Sequence, residues 1–326
     1  MFRAPGLGFD PEGGVEQGFQ PKKHSSLSNA RGKGCKLVIR GVVWQSPAMA
    51  ALKRKRILRI LFIALLFTSG GCMFFRQFET SQVYHPSRKI HGEASSLGRA
   101  FEEALFEAED GVKLHGWFFP ADAASPRKDW AILQCHGNAG NISGRLGQYE
   151  ALLETGASVF AFDYRGYGNS EGKPGEEGTY RDAQAAHRWL ADRGFAATNI
   201  IVLGESLGGG VGSELALREP IKALILERTF TSIPDVGAEI FWFLPVRLLS
   251  SIKYDTLSKL PRITAPVLVL HSRGDEIVGF HHGEKNFEAA NEPKLFRELD
   301  GGHNETLFAN RRGYLDALEE FLKTLE

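Results

Sequence analysis

Short apolar runs alternate with amphipathic segments over most of the chain. Ile200-Ile201-Val202-Leu203 is a run of four branched apolar residues, which is typical of a strand buried on both faces. Similar runs lie near 130–135, 158–162, 222–226, 267–270 and 294–299. The segments between them have helical spacing, as in the last one, where Leu315, Leu318 and Leu322 recur on one face. Strands that alternate with helices predict an α/β fold whose sheet is mostly parallel and covered by helices on both faces.

Two further runs precede this alternation. Residues 101–108 and 112–119 are strand-like, and Glu109-Asp110-Gly111 between them is a turn signal. This leading hairpin should add antiparallel strands at one edge of the sheet. The segment 77–87 is expected to be a tether that leads into the domain, and 229–261 is apolar without a regular period.

The first 72 residues differ from the rest in composition. Residues 1–48 are rich in Gly, Pro and Ser without apolar periodicity, which predicts disorder or a misassigned start. Residues 49–72 have a basic stretch, a short apolar stretch and small residues, the order of a secretory signal, so we expect translation to begin at Met49. The catalytic domain should then span 73–326.

Small residues directly before Cys72 resemble the lipobox of bacterial lipoproteins. That resemblance implies cleavage before Cys72 and acylation of its sulfur, and so a protein attached to the membrane of the bacterial cell envelope. The alternative is an uncleaved N-terminal anchor helix, since no charged residue interrupts 60–75. That run is shorter than the roughly 20 residues that a spanning helix needs, which favours the lipoprotein.

Charge and ligand spacing exclude several classes of function. Lys plus Arg and Asp plus Glu both number 39, and no basic face interleaved with aromatic residues is visible, which argues against nucleic-acid binding. The three cysteines form no disulfide framework. His281 and His282 are adjacent and should point to different faces, so no metal site is predicted. The glycine-rich stretch Gly166–Gly178 lacks the spacing of a phosphate loop, and no cofactor is implied.

The strand at 200–203 runs into the sequence Gly204-Glu205-Ser206-Leu207-Gly208. A serine at this place lies on a sharp turn from strand to helix, with its hydroxyl exposed. The two glycines allow strand and helix to pass closely. The N-terminus of the helix offers N–H groups and a positive dipole end to a developing oxyanion. The pattern predicts a nucleophile at Ser206.

Other polar turns follow predicted strands at the same edge of the sheet, where open α/β sheets bind their ligands. They contain His136-Gly137-Asn138, Asp163-Tyr164-Arg165, Arg273-Gly274-Asp275 and Gly301-Gly302-His303. We interpret His136 as structural, and Asp163 and Arg165 as members of a loop salt bridge beside the site.

With these motifs in order, residues 75–326 resemble the α/β-hydrolase superfamily. They look most like its membrane-associated branch, which includes eukaryotic depalmitoylases and bacterial lipoprotein hydrolases. The resemblance implies a triad of Ser206, Asp275 and His303, with Glu276 as the competitor for the acid. It implies oxyanion donors at Leu207 and Asn138, and a small cap over the site in the section 241–249.

The predicted function is that of a serine hydrolase which cleaves a carboxylic ester or thioester through an acyl-enzyme on Ser206. Its partner should be a small-molecule or acylated substrate, and the sequence does not specify the oligomeric state. A serine peptidase or amidase of the same fold is an open alternative, because fold and triad serve many reactions. A non-catalytic binding protein of the envelope is another.

Overall fold

The computed structural model describes residues 47–66 and 69–326. The chain divides into two units between Leu58 and Arg59, and the second unit, Arg59–Glu326, is compact. The first described helix, α1, spans Pro47–Leu66. Among the helices in the described ranges, none is long and apolar enough to cross a membrane. The expectation for residues 1–48 lies almost entirely outside the described residues.

The second unit is built on one eight-stranded sheet. The described strands are β1 (His85–Pro86), β2 (Glu102–Glu107), β3 (Lys113–Phe119), β4 (Ala131–Cys135), β5 (Ala139–Gly140), β6 (Ser158–Asp163), β7 (Ile200–Glu205), β8 (Ala223–Glu227), β9 (Val267–Ser272) and β10 (Lys294–Leu299). The order in the large sheet is β10-β9-β8-β7-β4-β6-β3-β2. Its pairs are parallel from β10 to β6, whereas β3 is antiparallel to both β6 and β2. The predicted parallel sheet with a leading antiparallel hairpin at one edge is confirmed.

Helices lie on both faces of the sheet. Those after α1 are α2 (Ser69–Val83), α3 (Leu146–Leu153), α4 (Glu176–Asp192), α5 (Leu207–Arg218), α6 (Ile233–Ile240), α7 (Val246–Leu249), α8 (Thr256–Lys259), α9 (Phe280–Ala289), α10 (Thr306–Ala309) and α11 (Arg311–Lys323). Helices α6, α7 and α8 fall between β8 and β9, in the segment 229–261, which we call the cap; it contains the section 241–249 that was expected to form a cap.

Side chains that alternate along the strands build two apolar layers. On β7, Ile200 and Val202 belong to one layer and Ile201 and Leu203 to the other, as the two-residue period of a strand requires. The first layer packs against α4 and α5, and the second against α3 and α11. All four side chains are fully buried, which explains why the central strands are continuous apolar runs rather than alternating ones.

The segment 77–87 is not the tether that the sequence predicted. Helix α2 continues through Val83, and Tyr84 after it is buried with its hydroxyl 3.0 Å from that of Tyr254. The carboxylate of Glu79 accepts two backbone N–H groups of the cap, at 3.0 and 3.1 Å. The prediction failed because this helix is held by buried polar contacts, which leave no apolar period in the sequence.

Candidate active site

The turn at Ser206 is strained. Ser206 directly follows β7 and has φ 52° and ψ −113°, a conformation that residues other than glycine rarely adopt. A Cβ on Gly208 would lie 1.9 Å from the carbonyl oxygen of Cys135, and a Cβ on Gly204 would lie 2.4 Å from the carbonyl oxygen of Gly208. Both obstacles are backbone atoms, so glycine at 204 and 208 is what allows α5 to begin so close to β7 and β4.

The structure brings the three residues of the predicted triad together. His303 Nε2 lies 3.1 Å from Ser206 Oγ, and His303 Nδ1 lies 2.7 Å from Asp275 Oδ2. A carboxylate only accepts hydrogen bonds, so the ring hydrogen is on Nδ1. Nε2 is then left with a lone pair that can accept the serine hydroxyl. The residues come from the turns after β7, β9 and β10, which end at the same edge of the sheet.

The two acidic residues of the β9 turn have different contacts. Asp275 Oδ1 accepts the N–H groups of Ile277 and Val278 at 3.0 and 2.8 Å, which orients the carboxylate. Burial alone would raise the pKa of Asp275, but the hydrogen bond and charge of His303, together with these two N–H groups, outweigh it and hold the pKa below its usual value. Glu276 accepts the backbone N–H of His303 at 3.0 Å instead. Asp275 therefore faces the imidazole, and Glu276 holds the loop that carries it.

The predicted oxyanion donors flank the serine. Leu207 is the first residue of α5, so its N–H has no carbonyl one turn earlier in the helix to bind. On the other side, a Cβ on Gly137 would lie 3.6 Å from Ser206 Cβ, so the loop of Asn138 runs beside the nucleophile. The side chain of Asn138 donates to Val83 O at 3.0 Å. Its backbone N–H, rather than its amide, is the group this loop can offer.

His136 has the surroundings of a structural residue. Its ring is fully buried between Tyr164 and Tyr167, with centroid separations of 4.3 and 5.2 Å. Burial lowers its pKa to about 3, so the ring is neutral. Arg165 is in a salt bridge, as predicted, but with Asp110 and Asp182 at 2.7 and 2.8 Å.

A buried network of charges lies behind the triad, and the sequence analysis missed it. The guanidinium of Arg228 is 2.8 Å from Glu227 and 3.3 Å from Glu205, and Arg145 is 3.3 Å from the other oxygen of Glu205. Arg228 also donates a hydrogen bond to the carbonyl oxygen of His303. The guanidinium of Arg228 thus connects the residue before the nucleophile with the loop of the imidazole.

The pKa values within this network diverge. Burial would raise the pKa of Glu205, but the charges of Arg145 and Arg228 outweigh it and lower the value to about 2. The same burial dominates at Glu227 and raises its pKa. The signal in the sequence was the pair Glu227-Arg228, two charged residues at the end of a buried apolar strand.

Two other predicted features lie elsewhere. Cys72 falls within α2, and its side chain lies outside the described part of the chain. His281 and His282 do not point to different faces: their ring centroids are 4.3 Å apart, and both approach Glu239 of α6. The prediction that the two rings point to different faces was therefore wrong. It assumed a regular helix face, whereas the two residues stand in the first turn of α9, where long side chains can converge.

Comparison with known proteins identifies the family. A family model described as alpha/beta hydrolase fold matches residues 131–251. The alpha/beta hydrolase domain-containing protein WAV2 of Arabidopsis thaliana is 34% identical over 283 residues, which cover 78% of this chain and 90% of that protein. The chain belongs to the α/β-hydrolase family. The uncharacterized protein Rv2307c of Mycobacterium tuberculosis is 38% identical over 274 residues, which cover 83% of this α/β-hydrolase and 97% of the relative.

Solved structures share the α/β-hydrolase fold. The esterase Pf2001 of Pyrococcus furiosus superposes with a TM-score of 0.62 and 23% identity, over 75% of this chain and 98% of its own. An alpha-beta hydrolase of Vibrio vulnificus superposes with a TM-score of 0.61 and 20% identity, over 74% and 93%. At these identities the similarity shows the fold alone.

Proposed function

We propose that this α/β-hydrolase is a serine hydrolase that cleaves a carboxylic ester or thioester through an acyl-enzyme on Ser206. The observation that carries the proposal is the hydrogen-bonded series of Asp275, His303 and Ser206, with the serine on a strained turn beside the first N–H of a helix. Nucleophile, base and orienting acid stand in the arrangement that such catalysis needs.

The first half of the reaction follows from the proton positions. Ser206 Oγ attacks the substrate carbonyl carbon while its proton passes to His303 Nε2. The imidazolium that forms is stabilised by Asp275, whose carboxylate is kept ionised by a lowered pKa. The carbonyl oxygen becomes an oxyanion, which the backbone N–H groups of Leu207 and Asn138 would bind.

The second half reverses the proton transfer. His303 gives its proton to the leaving alcohol or thiol, and the bond from the carbonyl carbon to the leaving group breaks, which leaves the acyl group on Ser206. Water then attacks the acyl carbon while His303 Nε2 accepts its proton. The proton returns to Ser206 Oγ as the carboxylic acid leaves.

A fluorophosphonate probe tests the nucleophile directly. The folded protein should gain one phosphonyl group at Ser206, with loss of fluoride, as measured by intact mass and peptide mapping. Ser206→Ala should abolish labelling, and the control Ser96→Ala, which alters an exposed serine, should not. No labelling of the folded protein would contradict the enzyme proposal and favour a non-catalytic binding protein.

A series of p-nitrophenyl esters and matching thioesters tests the substrate class. We expect hydrolysis of acyl chains to rise with length, because the cap carries aromatic side chains that could line an acyl site. Activity on acetyl esters alone would contradict an acyl-binding cap. Preference for peptide p-nitroanilides over esters would instead assign an amidase.

We also propose that the enzyme works at a lipid surface of the bacterial cell envelope. The cap supports this, because Trp242 and Phe243 are 79% and 58% exposed. Soluble proteins seldom expose two large apolar side chains at neighbouring positions. Ring contacts connect these exposed side chains to α2: the ring centroid of Phe241 lies 5.8 Å from that of Phe78 and 6.5 Å from that of Phe243. Aromatic side chains of this kind suit the boundary between lipid and water.

Two experiments test this attachment. In flotation with anionic phospholipid vesicles, Trp242→Ser with Phe243→Ser should weaken binding, whereas Leu105→Ser on β2, 78% exposed, should not. Equal vesicle binding by both variants would contradict a role of the cap in membrane binding. Incorporation of a clickable fatty acid, lost in Cys72→Ser, tests the proposed lipidation, and unchanged incorporation in that variant would contradict it.

A further inference from the structure

Three side chains of the kinds that bind metals meet between the cap and α9. Glu239 stands near the end of cap helix α6, and His281 and His282 are the second and third residues of α9. Their candidate ligand atoms all lie within 4.8 Å of one another. His281 can fold back toward the cluster because Gly279 has no side chain: a Cβ there would lie 2.9 Å from its Nδ1.

One of the two oxygen–nitrogen separations equals that of a tetrahedral site, and the other is shorter. Glu239 Oε1 lies 2.9 Å from His281 Nε2 and 3.3 Å from His282 Nε2. Ligand atoms about 2.0–2.1 Å from a zinc ion at tetrahedral angles stand about 3.3 Å apart. The contact at 3.3 Å is long for a charge-assisted hydrogen bond, which is typically about 2.7–2.9 Å.

The contacts of His282 Nδ1 allow two arrangements of its ring hydrogen, and in the first of them Nε2 is free. Asp235 Oδ2 accepts the hydroxyl of Thr231 at 2.8 Å, and that hydroxyl is 2.9 Å from His282 Nδ1. The hydroxyl has one hydrogen, so if it donates to Asp235 it accepts from Nδ1. The lone pair of Nε2 then faces the carboxylate of Glu239, and a cation between them would bind both.

A second arrangement competes with the first. The backbone N–H of Thr231 donates to His282 Nδ1 at 3.2 Å, and in this arrangement, without a cation, Nε2 carries the hydrogen and gives it to Glu239 at 3.4 Å. Both of these contacts are longer than the pair through the hydroxyl. The shorter series, from imidazole through hydroxyl to carboxylate, is also the outer support that metal-binding histidines usually have.

We propose that Glu239, His281 and His282 bind one divalent transition-metal cation of the Zn²⁺ class. Two imidazoles and one carboxylate suit such a cation, whereas Ca²⁺ and Mg²⁺ require oxygen ligands. Glu239 and His281 are each 44% exposed along their side chains, so the ion reaches the site from solvent and water completes its coordination.

The site would fasten the cap to the element that follows the catalytic acid. Glu239 belongs to the cap, and both histidines belong to α9, which begins two residues after Val278. The N–H of Val278 holds the carboxylate of Asp275 at 2.8 Å. A bound ion would therefore restrict the movement of α6 relative to the acid loop.

Calorimetric titration of the full-length, chelator-treated protein with Zn²⁺ tests the proposal. Any polyhistidine tag must be removed first. We expect one ion per chain, at least a 10-fold loss of affinity in Glu239→Gln and in His281→Ala, and a 10- to 100-fold loss in Thr231→Val, which removes the outer hydrogen bond. The control His91→Ala alters an exposed histidine elsewhere and should leave the affinity unchanged.

Two further measurements complete the test. Co²⁺ should give the visible absorption of a tetrahedral nitrogen and oxygen site in the wild type and lose it in Glu239→Gln. Zn²⁺ should raise the Tm of the wild type but not of that variant, because only a cation that binds the folded state stabilises it. Absence of binding, or binding that Glu239→Gln and His281→Ala leave unchanged, would overturn the site and assign the cluster to ordinary hydrogen bonds. None of these readouts depends on Ser206.

Discussion

Replacement of Arg228 by methionine should both destabilise the protein and slow its proposed reaction. The guanidinium of Arg228 is 7% exposed and lies 2.8 Å from Glu227 and 3.3 Å from Glu205. It also donates to the carbonyl oxygen of His303. Methionine retains much of the volume and makes the same demand on the backbone at φ 49°, since both residues have a Cβ. The substitution therefore isolates the loss of the charge and its hydrogen bonds.

The size of the effect follows from the charge count. Without Arg228, Glu205 keeps the guanidinium of Arg145, whereas Glu227 has no other ion pair among the described residues. An ion pair separated by 2.8 Å is worth about 6 kcal/mol at an effective dielectric constant of about 20. A carboxyl escapes this loss by taking up a proton, which costs about 1.4 kcal/mol per pH unit above an ordinary pKa of about 4.3, and so about 3.7 kcal/mol at pH 7. We expect the free energy of unfolding to fall by about 3–4 kcal/mol, within the range for broken buried pairs.

The pH dependence gives this prediction its signature. Burial already raises the pKa of Glu227 in the wild type, and loss of Arg228, whose charge lowers that pKa, raises it further. Over the pH range between the two pKa values, the folded variant holds a proton that the folded wild type has released. Its stability relative to the wild type should then recover by about 1.4 kcal/mol for each pH unit of acidification. Urea denaturation followed by circular dichroism at pH 7, 6 and 5 measures both quantities.

Arg165→Met is the matched control, because Arg165 also bridges two carboxylates, Asp110 and Asp182. It should lower stability but leave kcat/KM unchanged, whereas Arg228→Met should lower kcat/KM at least 10-fold through the freed loop of His303. For Arg228→Met, a loss of unfolding free energy below about 1 kcal/mol at pH 7, or a loss that does not vary with pH, would refute the reasoning from an uncompensated buried carboxylate.

Three other changes have clear expectations. Asp275→Asn should lower kcat about 10⁴-fold without unfolding the protein, because an amide favours the wrong imidazole tautomer, and steady-state kinetics would show otherwise if the loss were small. The wild type should be more stable than Glu205→Gln by a constant amount above about pH 5, and this difference should disappear as the pH falls toward the Glu205 pKa of about 2. The reason is that a lowered carboxyl pKa stabilises the folded protein only while the carboxyl is ionised. A difference in unfolding free energy that stayed constant through an acid denaturation series would contradict this. Gly208→Ala should prevent native folding, because its Cβ would meet a backbone oxygen at 1.9 Å, and native near-ultraviolet circular dichroism of that variant would be the contrary result.

The strands could be predicted from the sequence because each central one is buried on both faces. Four apolar residues in β7 sufficed, and the order of strands and helices then limited the topology. The turn at Ser206 was predictable for a related reason: glycine at 204 and 208 is required by steric contacts that involve only the backbone. Local signals were enough wherever the cause was local.

The features that the sequence analysis missed all depend on residues far apart in the chain. Glu79 binds backbone groups of the cap more than 170 positions later, and no periodic pattern in the sequence of α2 predicts this contact. His282 meets Glu239 across 43 positions. Polar contacts of this kind leave no pattern of spacing, because one good partner at the right place is sufficient. They become visible only once the sheet has brought the segments together.

The same dependence on distant partners explains how the strain at the site is held. Ser206 and Arg228 follow neighbouring strands, and both have positive φ, 52° and 49°, at a cost of about 1–3 kcal/mol each. Each is fixed by a backbone hydrogen bond to the next strand: Ser206 N donates to Glu227 O at 2.9 Å, and Arg228 N donates to Leu270 O at 2.8 Å. The strained residues thus continue the pattern of the sheet beyond its regular end. The ion pairs of Arg228 with Glu205 and Glu227 lie beside both strained residues. The same few contacts therefore contribute to the stability of the protein and to the geometry of the proposed nucleophile.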